Sequence, residues 1–430
     1  MTRILIERGM IVEPASVLAG GHVLVEGGRI VSLGPWSPDP EAETERVDAV
    51  GLYVLPGLVD LHSDVIEREI EPRPNTLFPL ALAVRELERR LAGHGITTMY
   101  HSVSIAGEEF GPRSHDVARA IVETIHEQSA SALIRTRVHL RYEITDRAGL
   151  DLVHDLLHRG QIHLLSFMDH TPGQGQYHDA GEYRDYLVRT TGIADTQFEE
   201  ILSAKLATRG RFRDEITGLA VQARSIGVPL ASHDDDTSEK LGEARRWGAT
   251  ISEFPTSLGA AQRAAEAGMM VCVGAPNVIR GGSTGKNLRA TDAIDAGVAH
   301  ILCSDYYPAA MLHAVFQLGA GRLGLPRAVA MATLVPARAV GIEREFGSME
   351  AGKQADLILV RIWHGLPVVV AAMVAGRWVY RVGYGHAGDA DSGERAAVDD
   401  AEPRRRYRGG GAGTDESSHV ERTQETRRGR

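Results

Sequence analysis

Side chains able to bind a metal ion follow several apolar segments of this 430-residue chain, each at the point where the segment ends. Residues 57–61 are followed by His62 and Asp64, which lie on the same side of a strand because strand side chains alternate. Later segments end in Glu143, His170, His233 and Asp305. Imidazole nitrogens and carboxylate oxygens suit zinc, manganese or iron. One histidine after a strand is usually only a polar residue near solvent, but six such side chains at equivalent positions predict a divalent metal site.

Eight short apolar segments alternate with helical segments across the middle of the chain, an order typical of parallel strands joined by helices. The predicted strands are residues 57–61, 97–100, 138–142, 163–168, 229–232, 250–254, 271–274 and 299–304. Eight such units predict a (β/α)8 TIM-like barrel, with a doubly wound open sheet as the structural alternative. Catalytic groups of a parallel barrel lie at the carboxyl ends of its strands, which is where the candidate ligands fall.

The two ends of the chain contain short β-rich segments that are too small to fold alone. Residues 1–54 and 346–385 are therefore predicted to form a small β-sandwich together, beside a barrel that spans residues 55–345. Residues 386–430 contain many Gly, Asp, Glu and Arg residues and almost no large apolar ones. That composition predicts a disordered tail.

Composition excludes several classes of protein. The apolar content of 43% and the charged content of 24% are typical of a globular protein, and the net charge of −10 argues against nucleic acid as a partner. Cys272 and Cys303 lie in apolar segments, so we expect core thiols and not a disulfide. Neither a signal peptide nor an apolar run long enough to span a bilayer is apparent. A cytoplasmic protein without a membrane partner is the simplest expectation.

From residue 1 to about residue 384 the chain resembles the amidohydrolase superfamily. The resemblance rests on PGLVDLH at residues 56–62 and on ADLILV at residues 355–360, which looks like that superfamily's return to its N-terminal β-sandwich. Five further segments, in the same order, are similar to a branch that acts in phosphonate metabolism. They are HSD at 62–64 with PRP at 72–74, FMDHTPGQ at 167–174, ASHDD at 231–235, GAPNVIRGGS at 274–283 and SDYYP at 304–308.

The superfamily's commonest ligand pattern is His-x-His, a carboxylated lysine or a glutamate, two histidines and an aspartate. The resemblance implies two divalent ions, with zinc favoured over manganese or iron, held by His62, Asp64, Glu143, His170 and His233. Asp64 stands where the pattern has its second histidine, and Glu143 takes the bridging position. Asp305 is the implied proton acceptor, whereas we expect Asp169 and Asp234 to orient histidines or a water molecule.

For the phosphonate branch, the resemblance implies release of pyrophosphate from the 5-triphosphate of a ribose 1-methylphosphonate. Residues 280–287 suit such a polyanion, because glycines there let backbone N–H groups turn toward an anion. Arg280 can bind phosphate with two parallel hydrogen bonds, and Lys286 can act as a point charge. Arg73 lies between two prolines shortly after the first metal strand and can reach the same anion. These three cations are the predicted substrate-binding residues.

Two other functions remain open at this point. A hydrolase of C–N bonds, such as an N-deacetylase or a cyclic-amide hydrolase, would use the same metal site but would need no converging cations. A non-catalytic binding or scaffold protein on a decayed barrel would bind no metal. The identity of the metal, the exact phosphorylated sugar and assembly into a homo-oligomer do not follow from the sequence.

Overall fold

A computed structural model describes residues 3–35, 43–106, 111–171, 181, 184, 195–208, 210–283 and 287–383. The chain up to Gly383 forms one compact unit. The predicted tail at residues 386–430 lies outside the described residues, as does Lys286. Among the described helices, none combines the length and the apolar character that crossing a bilayer requires.

The strands fall into two sheets. The terminal sheet takes its strands from both ends of the chain: β1 (Arg3–Val12), β2 (Val17–Glu26), β3 (Arg29–Gly34), β4 (Thr44–Asp48), β5 (Leu52–Pro56), β14 (Leu357–Trp363), β15 (Leu366–Val374) and β16 (Arg377–Arg381). The barrel sheet takes the strands between them: β6 (Leu58–Ser63), β7 (Ile96–Ile105), β8 (Arg135–Glu143), β9 (Leu164–Met168), β10 (Leu230–His233), β11 (Ile251–Glu253), β12 (Met270–Gly274) and β13 (Ile301–Cys303).

The barrel sheet is parallel and runs in chain order from β6 to β13, and its first and last strands meet. The Asp305 N–H donates to His62 O over 2.9 Å, and the Asp64 N–H donates to Asp305 O over 3.0 Å. The buried Asp60 carboxylate strengthens this join, since its Oδ1 accepts the N–H groups of His62 (3.3 Å) and Ser304 (3.0 Å). The predicted (β/α)8 barrel is confirmed, and each of its eight strands overlaps a predicted strand.

Helices connect the barrel strands and pack on their outer side. Their bounds are α1 (Val65–Ile70), α2 (Leu80–Gly93), α3 (His115–Gln128), α4 (Leu150–His158), α5 (Asp195–Thr208), α6 (Arg213–Ser225), α7 (Ser238–Trp247), α8 (Leu258–Glu266), α9 (Ala275–Arg280), α10 (Ala290–Asp295), α11 (Ala310–Gly319), α12 (Leu325–Met331) and α13 (Leu334–Ala339). On the long helix α2, apolar residues three and four positions apart, such as Val84, Leu87 and Leu91, form one buried face.

The barrel interior is filled by a separate apolar cluster. It consists of Val59, Leu61, Tyr100, Leu164, Ala231, Ile251, Cys272, Ile301 and Cys303. Alternate residues of each strand face this interior or the helices, as expected of a closed parallel sheet. Cys272 and Cys303 are therefore buried core thiols, as predicted.

The terminal sheet has the order β16-β15-β14-β5-β1-β2-β3, with β4 pairing on β1. The first half of β1 pairs with β4 and its second half with β5, both in parallel. The sheet encloses its own apolar core, which includes Ile4, Ile6, Val23, Leu357 and Leu359. The small β-sandwich predicted from both chain ends is thus confirmed.

A single residue, Gly57, separates β5 of the terminal sheet from β6 of the barrel. Its N–H donates to Asp356 O over 2.9 Å, and a Cβ atom at this position would lie 2.1 Å from Thr97 Oγ1, so only glycine fits. Asp356 is buried and also pairs with Arg135 at the start of β8. The domain boundary predicted between residues 54 and 55 falls within β5.

Candidate metal centre

His62 reaches the barrel mouth through an irregularity near the end of β6. In the pairing of β6 with β7, Asp60 lies opposite Met99, but Ser63 lies opposite His101. Between these two pairs, β6 therefore contains one residue more than β7. This is the arrangement of a β-bulge, which bends a strand and changes the direction of its side chains. The bulge lies directly beside the residue that the sequence selects as the first ligand.

Glu253, at the end of β11, lies at the centre of the buried part of the site. Its Oε1 is 3.1 Å from His62 Nδ1 and 3.6 Å from His139 Nε2. Its Oε2 is 3.4 Å from His233 Nδ1 and accepts a hydrogen bond from Ser166 Oγ over 2.9 Å. The rings of His62 and His233 stack at 15° with their centroids 5.4 Å apart. Three imidazoles from three strands therefore surround one buried carboxylate.

A second polar group lies nearer the rim. Glu143 ends β8, and its Oε2 is 3.0 Å from Nδ1 of His170, which follows β9. Thr145 Oγ1 donates to Glu143 Oε1 over 3.0 Å and orients this carboxylate. Asp234 Oδ2 is 3.8 Å from His170 Nε2 and 3.7 Å from His233 Nε2. Since His233 also contacts the buried carboxylate, the two groups are continuous.

Burial keeps the deeper histidines neutral. It lowers the pKa of His62 and of His233 well below the ordinary value, and the pKa of His139 to about 3. The nearby Arg141 guanidinium lowers all three pKa values further. Because a metal ion binds the neutral imidazole, these rings are in the form that ligation requires.

Asp64 and Asp305 lie where the first and last barrel strands meet. Burial raises the pKa of Asp305 to about 7, and the Asp64 carboxylate contributes to this shift. Burial also raises the pKa of Asp64, with Glu67 as the next cause. Asp64 Oδ1 is buried without a hydrogen-bond partner among the described residues. Crowded carboxylates in a site with little water favour a bound cation.

The backbone at the mouth adopts conformations that most residues avoid. Asp234, Phe254 and Asp305 have φ angles of 52°, 52° and 57°, and they follow the ends of β10, β11 and β13. Such conformations cluster at functional sites, where the surrounding structure holds them in place. The buried Asp235 carboxylate supplies part of that support, because it accepts hydrogen bonds from the hydroxyls of Ser232 on β10 and Ser252 on β11.

Two groups of described residues have ligand atoms within 4.8 Å of one another and could each hold a metal ion: His62 with His139 and Glu253, and His170 with His233 and Asp234. His139 Nε2 in the first group and Asp234 Oδ2 in the second are buried without a hydrogen bond from any described residue. Buried polar atoms rarely remain unpaired, so a cation at these positions fits the structure. The mixture of imidazole and carboxylate suits zinc, manganese or iron.

The five predicted ligands all lie at this mouth. His62, His170 and His233 belong to the two groups, whereas Glu143 contacts His170 and Asp64 lies beside the closing strands. Their assignment as ligands stays a prediction. Their convergence from β6, β8, β9 and β10 was the geometric requirement of that prediction, and the structure meets it.

His139, Glu253 and Asp234 complete the two groups but are not among the predicted ligands. Glu253 follows the rule used for the others, because it lies near the end of a predicted strand, at residues 250–254. His139 lies inside β8 on the same face as Glu143, where an imidazole resembles an ordinary buried residue. Asp234 was expected only to orient its neighbours, but its Oδ2 is close enough to two imidazoles to share an ion with them.

The predicted anion-binding residues lie farther out. Arg280 is exposed at the end of α9, and its Nη1 donates to Tyr306 Oη over 3.3 Å, directly after Asp305 in the chain. The Arg68 guanidinium also contacts this ring, 5.5 Å from its centroid, and was missed in the sequence. Arg73 lies on an exposed turn, and no contact joins its side chain to the two ligand groups among the described residues.

Gly281 and Gly282, the described glycines directly after Arg280, have a different role from the predicted one. The Gly281 N–H donates to Val278 O over 3.3 Å, and the Gly282 N–H donates to Asn277 O over 3.1 Å. Gly281 has a φ of 72° and ends α9 in the left-handed conformation. These two amides cap a helix, so the expectation that they face an anion was wrong.

Comparison with known proteins places these features in a family. Residues 53–379 match the model of the amidohydrolase family. The chain is 34% identical over 321 residues to the alpha-D-ribose 1-methylphosphonate 5-triphosphate diphosphatase of Escherichia coli strain K12, which covers 73% of this chain and 85% of that protein. It is 26% identical to an imidazolonepropionase of Symbiobacterium thermophilum, over 86% of this chain and 93% of that one.

A solved structure supports the fold alone. The D-hydantoinase from Bacillus sp. AR9 is similar with a TM-score of 0.60 at 16% sequence identity. The similarity covers 88% of this chain and 95% of the hydantoinase. It therefore spans both the barrel and the terminal sheet.

Proposed function

The chain belongs to the amidohydrolase family, and we propose that it is a metal-dependent diphosphatase. The proposed substrate is α-D-ribose 1-methylphosphonate 5-triphosphate, and the products are α-D-ribose 1-methylphosphonate 5-phosphate and pyrophosphate. The observation that carries the proposal is the 34% identity to a diphosphatase of this specificity over 85% of that protein's length. In this reaction a phosphoanhydride bond breaks and water supplies the oxygen of the new phosphate.

Cations at the mouth support a polyanionic substrate despite the net charge of −10. The Arg68 guanidinium lies over the Tyr306 ring, and Arg280 donates a hydrogen bond to the hydroxyl of the same residue. Lys240 Nζ donates to Asp234 O over 3.0 Å and lies beside the second ligand group. A local cluster of basic residues in an acidic protein is what an anionic substrate requires.

The proposed cofactors are two divalent ions, with zinc favoured and manganese or iron as alternatives. The proposed ligands are His62, Asp64, Glu143, His170 and His233, to which the geometry adds His139, Glu253 and Asp234. When bound, such ions would supply Lewis-acid activation of water and of phosphoryl oxygens. The chain's contribution is to hold neutral imidazoles and fixed carboxylates at one mouth.

Asp305 is the proposed proton acceptor for the attacking water. Its backbone is hydrogen-bonded to His62 in β6 and to Asp64 directly after β6, which fixes the position of the Asp305 backbone at the mouth. Arg280, Arg73 and Lys286 are the proposed partners of the departing pyrophosphate. Their charges would stabilise the negative charge that develops on the leaving oxygen during in-line attack at the α-phosphorus.

A direct assay tests this proposal. The purified protein, loaded with zinc or with manganese, is incubated with ribose 5-triphosphate esters, and phosphorus NMR identifies the products. We expect one pyrophosphate for each 5-phosphate formed, and no turnover after removal of metal by a chelator. Failure of the metal-loaded protein to release pyrophosphate from any such ester would refute the proposal.

The second candidate is hydrolysis of a C–N bond, which the similarity to imidazolonepropionase favours. The two functions differ in their need for cations. Under the diphosphatase proposal, Arg280→Ala raises the KM for the triphosphate, whereas a cyclic-amide hydrolase would tolerate the change. Turnover of cyclic amides that exceeds turnover of triphosphates, with no effect of Arg280→Ala, would establish the alternative.

A further inference from the structure

Arg141 is a buried cation that contacts no carboxylate of the described part of the chain. The residue is 7% exposed, and no described carboxylate oxygen lies within 4.0 Å of its guanidinium nitrogens. The one hydrogen bond that its side chain makes to a described residue runs from Nη2 to His233 Nε2 over 3.0 Å. Its Nε is buried without a partner among the described residues. A guanidinium in a protein cannot lose its proton, so this charge must be compensated in another way.

The position of Arg141 on β8 directs it into the mouth. His139, Arg141 and Glu143 are alternate residues of one strand and lie on the same face. Along this strand, Arg141 therefore lies between His139, which belongs to the first ligand group, and Glu143, which lies nearer the rim. Carboxylates surround it at longer range, since it lowers the pKa of Asp64 and Asp305 against the stronger effect of burial.

The hydrogen bond to His233 leaves the guanidinium available for another acceptor. His233 Nδ1 faces Glu253 Oε2, so the neutral ring donates there and accepts at Nε2. His233 Nε2 is also the ring nitrogen that lies 3.7 Å from Asp234 Oδ2 within the second ligand group. A metal ion on this nitrogen would take the lone pair that Arg141 uses, and the guanidinium would then lose its only acceptor among the described residues.

We infer that Arg141 binds a phosphoryl group of the substrate at the metal centre and selects phosphoanhydrides over neutral amides. The planar guanidinium matches two oxygens of a tetrahedral oxyanion with parallel hydrogen bonds. A neutral amide would leave the buried charge uncompensated, which costs binding energy and gives discrimination. This inference rests on the proposed function, whose predicted anion-binding residues all lie farther out or outside the described residues.

The other role open to Arg141 is structural. A cation among Asp64, Asp234, Glu253 and Asp305 reduces their mutual repulsion without any contact to substrate. That role predicts that replacing Arg141 changes the stability or the metal content of the protein and leaves anion binding intact. The two roles therefore differ in a binding measurement that does not depend on turnover.

The test is calorimetric titration of inorganic pyrophosphate into the metal-loaded protein, with metal content measured for every sample. Arg141→Met removes the charge, whereas Arg141→Lys keeps a charge but cannot donate two parallel hydrogen bonds. Arg89→Gln changes an exposed arginine on α2 and serves as a matched control. We expect Arg141→Met to weaken binding about tenfold to a hundredfold, in line with hydrogen bonds to charged groups. Arg141→Lys should weaken it less, and Arg89→Gln should leave it unchanged.

Unchanged pyrophosphate affinity in Arg141→Met overturns the inference, as does loss of metal from both Arg141 variants. If Arg141→Met does not fold, Arg141→Lys decides: weaker binding at full metal content supports the inference, and wild-type affinity overturns it. Failure of the proposed function is distinguishable. If the wild-type protein binds pyrophosphate through Arg141 but cleaves no triphosphate, the inference about Arg141 is supported and the proposed reaction is refuted.

Discussion

The barrel mouth and the terminal sheet are built from opposite kinds of residue within one compact unit. The mouth buries imidazoles, carboxylates and a guanidinium, and several of their polar atoms have no hydrogen-bond partner among the described residues. The core of the terminal sheet consists of aliphatic side chains from both ends of the chain, such as Ile6 and Leu359.

The difference indicates how stability and chemistry are divided in this molecule. Burial of aliphatic side chains stabilises the fold, and the terminal sheet adds this stabilisation close to the start of the first barrel strand. Crowded buried carboxylates reduce stability, and residues of this kind persist where function requires them. Substitutions in the mouth should therefore affect chemistry more than stability, and substitutions in the sheet should do the reverse.

The largest effect is expected for Asp305→Asn in the mouth. The change removes the proposed proton acceptor, so kcat should fall about 100- to 10,000-fold. It also removes a buried acidic group crowded by Asp64, and asparagine tolerates a positive φ, so the melting temperature should stay level or rise. Steady-state kinetics and calorimetry measure both quantities. The matched control is Asp295→Asn on the exposed end of α10, and a stability loss as large as the kinetic loss would break the comparison.

In the terminal sheet, Leu359→Ala should show the opposite pattern. Leu359 is 2% exposed in the core of the sheet, so its truncation should lower the free energy of unfolding by about 2 to 5 kcal/mol. The kcat of the folded variant should equal that of the wild type. Denaturant titration with Ile362→Ala as control, on the same strand but 43% exposed, measures the effect. A changed metal affinity in Leu359→Ala would show that the two regions are coupled.

Glu253→Gln tests whether the buried carboxylate at the mouth contributes to metal binding. The change keeps the size of the side chain but removes the charge that faces His62, His139 and His233, so metal affinity should fall about 10- to 100-fold. Competition with a chelator measures this affinity, and Glu127→Gln on the exposed face of α3 serves as control. An unchanged affinity would remove Glu253 from the centre.

The smallest effect concerns His163, just before β9 at the end of the barrel away from the mouth. Its Nδ1 accepts the Val138 N–H over 3.2 Å, and burial lowers its pKa to about 4. In the unfolded chain His163 takes up a proton near pH 6.5, whereas in the folded protein it does so only near pH 4. His163 therefore destabilises the fold progressively as the pH falls from about 6.5 to 4. His163→Asn should reduce the pH dependence of unfolding free energy by at most about 1.4 kcal/mol per pH unit.

Unfolding of the metal-free protein by denaturant at pH 8, 5.5 and 4.5 checks this. Both proteins carry a neutral side chain at pH 8, so that measurement isolates the change in packing. Parallel curves for the wild type and His163→Asn would contradict the prediction.

Much of the fold could be predicted because its signals are local. Apolar segments of the right length marked all eight barrel strands, and their polar ends marked His62, His170 and His233. His139 lies inside a strand, and only the closed barrel brings it within reach of Glu253. Arg141 likewise looks like an ordinary strand residue until its burial is known. Gly281 was misassigned because a helix cap and an anion-binding loop have the same composition.

Gly57 is the only residue that connects the terminal sheet to the first barrel strand. Strand β5 ends at Pro56 and β6 begins at Leu58, so tension or slippage in the terminal sheet is passed to His62 through only a few residues. One residue inserted at Gly57 would shift β6 by a single position, and every side chain of that strand would exchange the barrel interior for the helical layer. The two sheets are therefore bound to change together in evolution, and the barrel is a poor candidate for excision as an independent hydrolase.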